Sequence, residues 1–213
     1  MHKTADSDAS PRVTGLTLHA AAFYDLTVWL LTLGRERAFR EKILRFAHLG
    51  LGESVLDVGC GTGSLAIAAK QQVGASGAVY GIDASPEMIA RAERKARKAR
   101  VQIVFKNAPA QILPFADAQF DVVLSTLMLH HLPRAARQEC AREIRRVLKP
   151  GGRVLAVDFA PPIEKKGILA HFHRHGHVKF DDIVDLLGAS DLNVVESGAV
   201  GAKNLQFVLA EAP

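Results

Sequence analysis

A short apolar segment that breaks into a glycine-rich turn constrains the fold of this chain more than any other feature. Residues 55–58 are mostly apolar and predict a buried strand, glycines follow at Gly59, Gly61 and Gly63, and residues 64–70 favour a helix. Glycines permit the unusual backbone angles of a tight strand-to-helix turn, and without a β-carbon they let a ligand lie against the main chain. The first N–H groups of a helix lack partners within it, so the pattern predicts a ligand site here.

An acidic residue ends the next predicted strand, residues 78–83, about twenty positions after the glycine turn. A carboxylate at this place holds a ribose diol in nucleotide-binding sheets, so Asp83 is the expected ribose ligand. The alternative is a structural turn with an ordinary surface Asp. The glycine spacing is Gly-x-Gly-x-Gly and not the Gly-x-Gly-x-x-Gly of dinucleotide binders, which disfavours a nicotinamide-dependent oxidoreductase.

Strands and helices alternate along most of the chain. This alternation predicts parallel strands joined by right-handed crossovers in a three-layer α/β sandwich. Two helical segments precede the sheet, and one helix separates the central strands from two closing strands. The predicted helices are 16–33, 35–49 and 181–187, and the later predicted strands are 101–105, 121–125, 153–157, 193–196 and 205–210.

Four motifs in order carry a resemblance to a known family. They are Leu-Asp-Val-Gly-Cys-Gly-Thr-Gly at 56–63, Gly-Ile-Asp-Ala-Ser-Pro-Glu-Met at 81–88, Leu-Pro-Phe-Ala-Asp at 113–117 with Phe-Asp at 120–121, and Leu-Lys-Pro-Gly-Gly at 148–152. Across residues 55–157 the chain resembles the class I S-adenosylmethionine-dependent methyltransferases. It is most similar to the small-molecule branch that includes the quinone-biosynthesis C-methyltransferases.

The resemblance implies a Rossmann-like fold with a seven-stranded, mostly parallel sheet in the order 3-2-1-4-5-7-6, and an N-terminal helical lid. Residues 1–50 would form a tail and lid within the same domain as the S-adenosylmethionine-binding part, residues 51–213. Tyr24, in the first helical segment, would then be a lid residue over the cofactor. Core packing and an interfacial helix touching lipid are the alternatives for that segment.

The resemblance also implies a cofactor site for S-adenosylmethionine, with S-adenosylhomocysteine as product. The glycine turn would lie beneath the amino-acid end of the cofactor, Ala84 and Met88 would line the adenine, and Asn107 would bind the adenine amine. Core packing is the alternative for Met88. The expected cofactor-binding residues are Tyr24, Asp57, Gly59, Cys60, Gly61, Gly63, Asp83, Ala84, Met88, Asn107, Ala108 and Ser125.

A dedicated catalytic residue is not required, because the cofactor itself makes the methyl group electrophilic. If a base removes a proton, His131 and His130 are the first candidates, since they follow the fourth predicted strand and histidine titrates near neutrality. Asp158, at the end of the fifth strand, is the second candidate. The alternatives are a loop-shaping role for the two histidines and a hydrogen-bonding support role for Asp158.

Four histidines alternate through residues 171–177. A loop, a substrate-contacting cap and a metal site are the alternatives, and no metal site is predicted because no nearby cysteine supports one. The two cysteines of the chain lack the spacing of a disulfide framework.

Composition narrows the class of partner. The net charge of +5 sits largely on two predicted outer helices, and Ser-Thr-Leu-Met at 125–128 replaces the Asn/Asp-Pro-Pro-aromatic motif of enzymes that methylate nucleobases, so no nucleic acid is predicted. No apolar run reaches the length of a membrane span and the first residues do not resemble a signal peptide, which predicts a soluble cytoplasmic protein. Peripheral membrane contact is kept as an alternative.

The expected function is methyl transfer from S-adenosylmethionine, by in-line displacement, to a small and partly apolar acceptor at a carbon, oxygen or nitrogen atom. The alternative is a non-catalytic subunit that keeps the fold and binds the cofactor or a partner protein. The sequence does not indicate an oligomeric state.

Overall fold

The computed structural model describes residues 36–159, 180–201 and 204–213. Within them the helices are α1 (Glu36–Phe46), α2 (Ser64–Val73), α3 (Pro86–Ala99), α4 (Arg134–Val147) and α5 (Phe180–Gly188), with a 3₁₀ turn at Leu129–His131. The strands are β1 (Ser54–Val58), β2 (Ala78–Asp83), β3 (Val104–Asn107), β4 (Phe120–Thr126), β5 (Leu148–Phe159), β6 (Asn193–Ala199) and β7 (Leu205–Glu211).

The strands form one seven-stranded sheet in the order β3-β2-β1-β4-β5-β7-β6. The first five strands are parallel, and β7 lies antiparallel between β5 and β6. This order confirms the fold that the family resemblance implies. Residues 1–35 of the predicted N-terminal tail and lid lie outside the described residues, and residues 36–46 form α1.

Apolar side chains cover both faces of the sheet, which explains the three layers. One buried cluster joins alternate residues of the central strands to α1 and α2, and we name this side the α1/α2 face. The other cluster joins the intervening residues to α4 and α5, and we name it the α4/α5 face. The central strands are buried on both sides, as is typical of parallel sheets.

Three strand boundaries differ from the prediction by three residues or more, and one of them is the end of β6, at Ala199 instead of residue 196. β3 begins at Val104, three residues later than expected, because only Val104–Asn107 pair with β2. β5 begins at Leu148, since Leu148 already pairs with Phe120 and the expected Pro-Gly-Gly turn is absorbed into the strand, with Gly151 at a φ of 71°. At the start of α3 the Ser85 hydroxyl accepts the Met88 N–H and Pro86 opens the helix, as a Ser-Pro pair favours.

Arg146 of α4 fastens the loop that leads into β4. Its guanidinium donates to the carbonyl oxygens of Leu113 (3.0 Å) and Phe115 (2.9 Å) and to the carboxylate of Asp117 (2.7 Å). Glu143 accepts both from Arg146 and from the Leu113 N–H. These hydrogen bonds raise the pKa of Arg146 and lower that of Glu143. The Leu-Pro-Phe-Ala-Asp motif is therefore held by a charged network.

We predict that Arg146→Ala lowers the free energy of unfolding by about 2–3 kcal/mol, because two loop carbonyls and two carboxylates lose their donor. Thermal melting should fall by roughly 5–10 °C for a chain of this size. Arg142→Ala on the same helix is the matched control, since its Nε donates only within the helix, to the Gln138 carbonyl. Equal melting temperatures for the two variants would contradict the proposed clamp.

Candidate functional site

The glycine turn follows β1 at the carboxyl edge of the sheet. Gly59 and Gly63 adopt φ values of 74° and 75°, in the left-handed region that favours glycine. A β-carbon at Gly59 would overlap the side chain of Met128, and one at Gly63 would lie 2.8 Å from the β-carbon of Ala92. Both the backbone conformation and the close approach of neighbours therefore require glycine at these positions.

The end of β2 holds this turn through three successive N–H groups. The Gly59 and Cys60 N–H groups both donate to the Ile82 carbonyl oxygen, at 2.9 and 2.8 Å. The Gly61 N–H donates to Oδ2 of Asp83 at 2.9 Å, and Oδ1 of Asp83 accepts the Ser85 N–H at 2.8 Å. Asp83 therefore braces the turn, and burial raises its pKa. Each carboxylate oxygen has a second lone pair, so the predicted contact with a ribose diol stays compatible with these bonds.

Asp57 is a buried carboxylate that is incompletely paired. Its side chain is 2% exposed, and among the described residues its Oδ2 atom has no hydrogen-bond partner. Burial, followed by the charge of Asp83, raises the pKa of Asp57 to about 7, while the Ala66 N–H and Arg40 act in the opposite direction. A buried carboxylate oxygen without a partner is costly, and a bound cation would offset that cost.

A cleft of about 500 Å³ that is open to solvent lies over this carboxylate, on the α1/α2 face. Arg40 of α1 gives the cleft a cation, and Thr62, Ser64 and Thr126 give it hydroxyl groups. The lining residues are Phe39, Arg40, Ile43, Asp57, Gly59, Cys60, Thr62, Ser64, Leu65, Thr126 and Leu127. Together they offer both charge signs to a ligand of the size of an amino acid.

Lys95 of α3 also holds the glycine turn in place through its side chain. Its ammonium group donates to the hydroxyl oxygens of Thr62 (2.7 Å) and Ser64 (3.1 Å). Thr62 is buried at 3% exposure. The contact fixes the turn and the start of α2 to the neighbouring helix.

The residues expected around an adenine lie at the ends of β2 and β3. The Asn107 amide donates to the Asp83 carbonyl oxygen at 2.8 Å, which leaves its Oδ1 atom as an acceptor, and the Ala108 N–H donates to the same carbonyl at 3.1 Å. Ala84 is half-buried, whereas Met88 is only 2% exposed. The adenine contacts of these residues stay predictions.

Ser125 and Asp57 lie on opposite faces of the sheet. Side chains alternate along a strand, so Ser125 shares the α4/α5 face with Val123, and Thr126 shares the α1/α2 face with Asp57. Both hydroxyl oxygens are buried without a partner among the described residues. Thr126 therefore lines the cleft, and the cofactor contact expected of Ser125 stays a prediction.

His130, which follows β4, and Asp158, near the carboxyl end of β5, form a bonded pair. Nδ1 of His130 lies 2.7 Å from Oδ1 of Asp158, and the His130 main-chain N–H donates to Oδ2 at 3.1 Å. The Phe159 N–H also donates to Oδ1, at 2.8 Å. The ring of His131 stacks at a tilt on that of His130, with centroids 3.9 Å apart. The structure thus brings all three predicted catalytic candidates together.

Some predicted site residues lie outside the described part of the chain, namely Tyr24 and the histidines of residues 171–177. Across residues 36–159, 180–201 and 204–213, no three His, Cys, Asp or Glu side chains cluster as metal ligands would. The helices of those same ranges include none that combines the length and the apolar character of a membrane span.

Sequence reasoning missed three polar residues: Arg40, Thr62 and Gln206. Arg40 lies three positions before Ile43, a buried residue of α1, and this spacing could have indicated that Arg40 faces inward. Gln206 is the second residue of β7 and pairs with Asp158 across the ladder. Only the strand register reveals that proximity.

Known proteins resemble this chain in sequence. The sequence profile of a family described as a methyltransferase domain matches residues 55–152. A demethylmenaquinone methyltransferase of Lactobacillus johnsonii is 35% identical over 84% of this chain and 72% of that protein. The chain belongs to the S-adenosylmethionine-dependent methyltransferases. A 2-phytyl-1,4-naphthoquinone methyltransferase of Nostoc punctiforme is 35% identical over 67% of this chain, and the match spans 62% of that relative.

Solved structures of known proteins share the fold of this chain. A crystal structure of an S-adenosylmethionine-dependent methyltransferase from Aquifex aeolicus superposes with a TM-score of 0.76 at 23% identity, covering 92% of this chain and all of that one. At this identity the similarity shows the fold alone.

The described residues of the methyltransferase fit its cofactor. The unpartnered Oδ2 atom of Asp57 suits the cofactor ammonium group, and the cleft beside the glycine turn is open for its amino-acid end. Asp83 and Asn107 would hold the ribose and the adenine amine. The cofactor supplies a methyl group on a positively charged sulfur, so the chain must bind, orient and exclude water.

We predict that cofactor binding is linked to ionisation of Asp57. An ammonium group binds the ionised carboxylate, so with a pKa of about 7 the affinity for S-adenosylhomocysteine should rise about tenfold from pH 6 to pH 8. Titration calorimetry in two buffers of different ionisation enthalpy measures the released proton. Asp57→Asn should bind more weakly at pH 8 and lose most of this dependence.

Controls separate Asp57 from the groups that face it. Asp83 also titrates in the site, Arg40 stays charged, and burial raises the pKa of the Cys60 thiol and keeps it neutral. Glu93→Gln, on the exposed side of α3, should bind like the wild type. An unchanged pH dependence in Asp57→Asn would assign the proton to Asp83.

The raised pKa of Asp57 also affects how the stability of the folded protein depends on pH. The folded pKa of Asp57 lies above its ordinary value of 3.8, so the folded free protein binds this proton more tightly than the unfolded chain. The stabilisation of the folded free protein by this proton is therefore fully present below pH 4 and is lost as pH rises towards 7.

Proposed function

We propose that this methyltransferase transfers the methyl group to a ring carbon of a small, lipophilic hydroquinone. The observation that carries the proposal is the sequence similarity, over 84% of the chain, to a protein named as a demethylmenaquinone methyltransferase. The Nostoc relative, named for a phytyl naphthoquinone, supports the same acceptor class. Both names describe a fused aromatic ring with an apolar tail.

The reduced form of such an acceptor is the better nucleophile for methyl transfer. The methyl group carried by the sulfonium is electrophilic and needs an electron-rich carbon. A quinone ring is electron-poor, whereas the hydroxyl groups of a hydroquinone donate electron density to the ring. A hydroquinone that loses a hydroxyl proton is more nucleophilic still, so a proton acceptor in the site would increase the rate.

The carboxyl edge of the sheet has apolar and aromatic surface for such a ring. Met128 lies against Gly59 of the cofactor turn, and the ring of Phe159 lies edge-on to that of His130, with centroids 5.2 Å apart. These side chains support an acceptor that sits beyond β4 and β5, in line with the methyl group. An apolar tail could extend towards a membrane surface, consistent with peripheral contact.

We predict that the purified protein adds one methyl group to a short-tailed demethylated naphthohydroquinone kept reduced by dithionite. Mass spectrometry should show a gain of one methyl group on a ring carbon, assigned by the loss of one aromatic proton signal. The oxidised quinone should give at least tenfold less product. Asp83→Ala, which loses both its Gly61 and Ser85 contacts, is the low-activity control.

Two outcomes would redirect the proposal. A methyl ether in place of a methylated ring would move the acceptor atom from carbon to oxygen. Tight binding of S-adenosylhomocysteine with no product from either redox form would exclude the hydroquinone acceptor.

A further inference from the structure

A row of polar side chains lies on the α4/α5 face, apart from the cofactor cleft. Asp158 of β5 pairs directly with Gln206 of β7, and cross-strand partners project on the same face. Ser125 of β4 lies on this face as well. Among the described residues, the Ser125 hydroxyl and Oε1 of Gln206 are buried without hydrogen-bond partners. Buried polar atoms without partners are rare in folded proteins, and their grouping around His130 and Asp158 indicates a place for a polar ligand.

The hydrogen bonds of Asp158 determine the state of the His130 ring. Asp158 is 1% exposed and accepts two main-chain N–H groups, from His130 and Phe159, so its oxygens act as acceptors. Nδ1 of His130, 2.7 Å from Oδ1, must then carry the proton. The Nε2 atom is left with a free lone pair, as in pairs where a carboxylate orients a catalytic histidine.

The pair is adjacent to the cofactor turn. Met128, two residues before His130, lies against Gly59, and β1, β4 and β5 are neighbours in the sheet. Neighbouring strands lie about 4.8 Å apart, so the end of β5 is only two strand spacings from the end of β1. An acceptor ring beside the cofactor would therefore be within reach of His130.

His131 differs from His130 in its surroundings. It stacks on the His130 ring, and burial, with the neighbouring ring adding to it, lowers its pKa. The charge of Asp158 acts on this pKa in the opposite direction, but no hydrogen bond or ion pair of the described residues joins the His131 ring to a carboxylate. His131 is therefore the alternative base that the experiment must separate from His130.

We propose that Nε2 of His130 removes the proton from an acceptor hydroxyl, with Asp158 as the positioning residue. The inference rests on the proposed function, and it applies to methylation at carbon or at oxygen. For carbon, the hydroxyl proton passes to Nε2, and the released electron density forms the new bond between the ring and the methyl group. The bond between the methyl group and the cofactor sulfur breaks, and its electron pair stays on sulfur. The ring proton is then lost to solvent, the ring oxygen takes back the proton held on Nε2 to restore the hydroxyl group, and His130 is neutral again.

The decisive variant is His130→Asn. The Asn side chain keeps a donor where Nδ1 bonds to Asp158 but has no atom at Nε2. We expect kcat to fall about 10²-fold or more, the usual contribution of a general base, with the melting temperature and the affinity for S-adenosylhomocysteine unchanged. His48→Asn is the matched control, because His48 is an exposed histidine after α1 whose ring also lies beside a carboxylate, that of Glu196, and it should keep kcat within about threefold of the wild type. Asp158→Asn should also lower kcat. It should weaken the dependence of the rate on the acidity of the acceptor hydroxyl, but by less than His130→Asn does.

A second measurement needs no turnover. A nitro-substituted naphthol, whose ionised form absorbs visible light, is bound to the complex with S-adenosylhomocysteine at a pH below its solution pKa. The wild type and His48→Asn should bind it ionised, and His130→Asn should bind it neutral. If the wild type ionises this probe through His130 but does not methylate a naphthohydroquinone, the proposed acceptor is wrong and the base assignment stands.

Three results would overturn the assignment. They are a kcat for His130→Asn within threefold of the wild type, an equal loss in His131→Asn, and ionisation of the bound naphthol by His130→Asn.

Discussion

Three hydrogen bonds between the glycine turn and the end of β2 set the geometry on which the site depends. The N–H groups of Gly59, Cys60 and Gly61 are successive in sequence, and all three are taken by Ile82 and Asp83. The turn therefore cannot fold back over β1, and the start of α2 projects towards the cleft. This arrangement needs left-handed backbone angles, which is why glycines recur there.

The same turn concentrates negative charge in a buried place. Asp57 and Asp83 both have raised pKa values because they lose contact with water, and the charge of Asp83 raises the pKa of Asp57 further. Arg40 and the Ala66 N–H at the start of α2 act on Asp57 in the opposite direction. In the proposed site the ammonium group of the cofactor would complete this compensation, which would link cofactor binding to the ionisation of Asp57.

Most of the fold was predictable from the sequence, because the apolar strands, the glycine turn and the Ser85–Pro86 helix start are local signals. The position of β7 between β5 and β6 came from the family resemblance alone, since no periodicity encodes strand order. The edges of β3 and β5 were misplaced because pairing with a neighbour, not local composition, decides where a strand begins.

For the site, the sequence pointed to the glycines and the acidic residues. The separation of Ser125 from Asp57, and the pairing of Gln206 with Asp158, depend on strand register, which one sequence does not reveal.

The two faces of the sheet hold different parts of the proposed site. Asp57, Thr126 and Arg40 belong to the α1/α2 face, where the cleft fits the amino-acid end of the cofactor. His130 and Asp158 belong with the α4/α5 face, where unpartnered polar atoms remain. The faces meet only at the carboxyl edge of β1 and β4, where Met128 touches Gly59. A methyl group held from one face can therefore meet an acceptor held from the other at this edge. The separation keeps a proton acceptor away from the buried carboxylates of the cofactor cleft, and the proposed base can exchange protons without altering the charge that binds the cofactor.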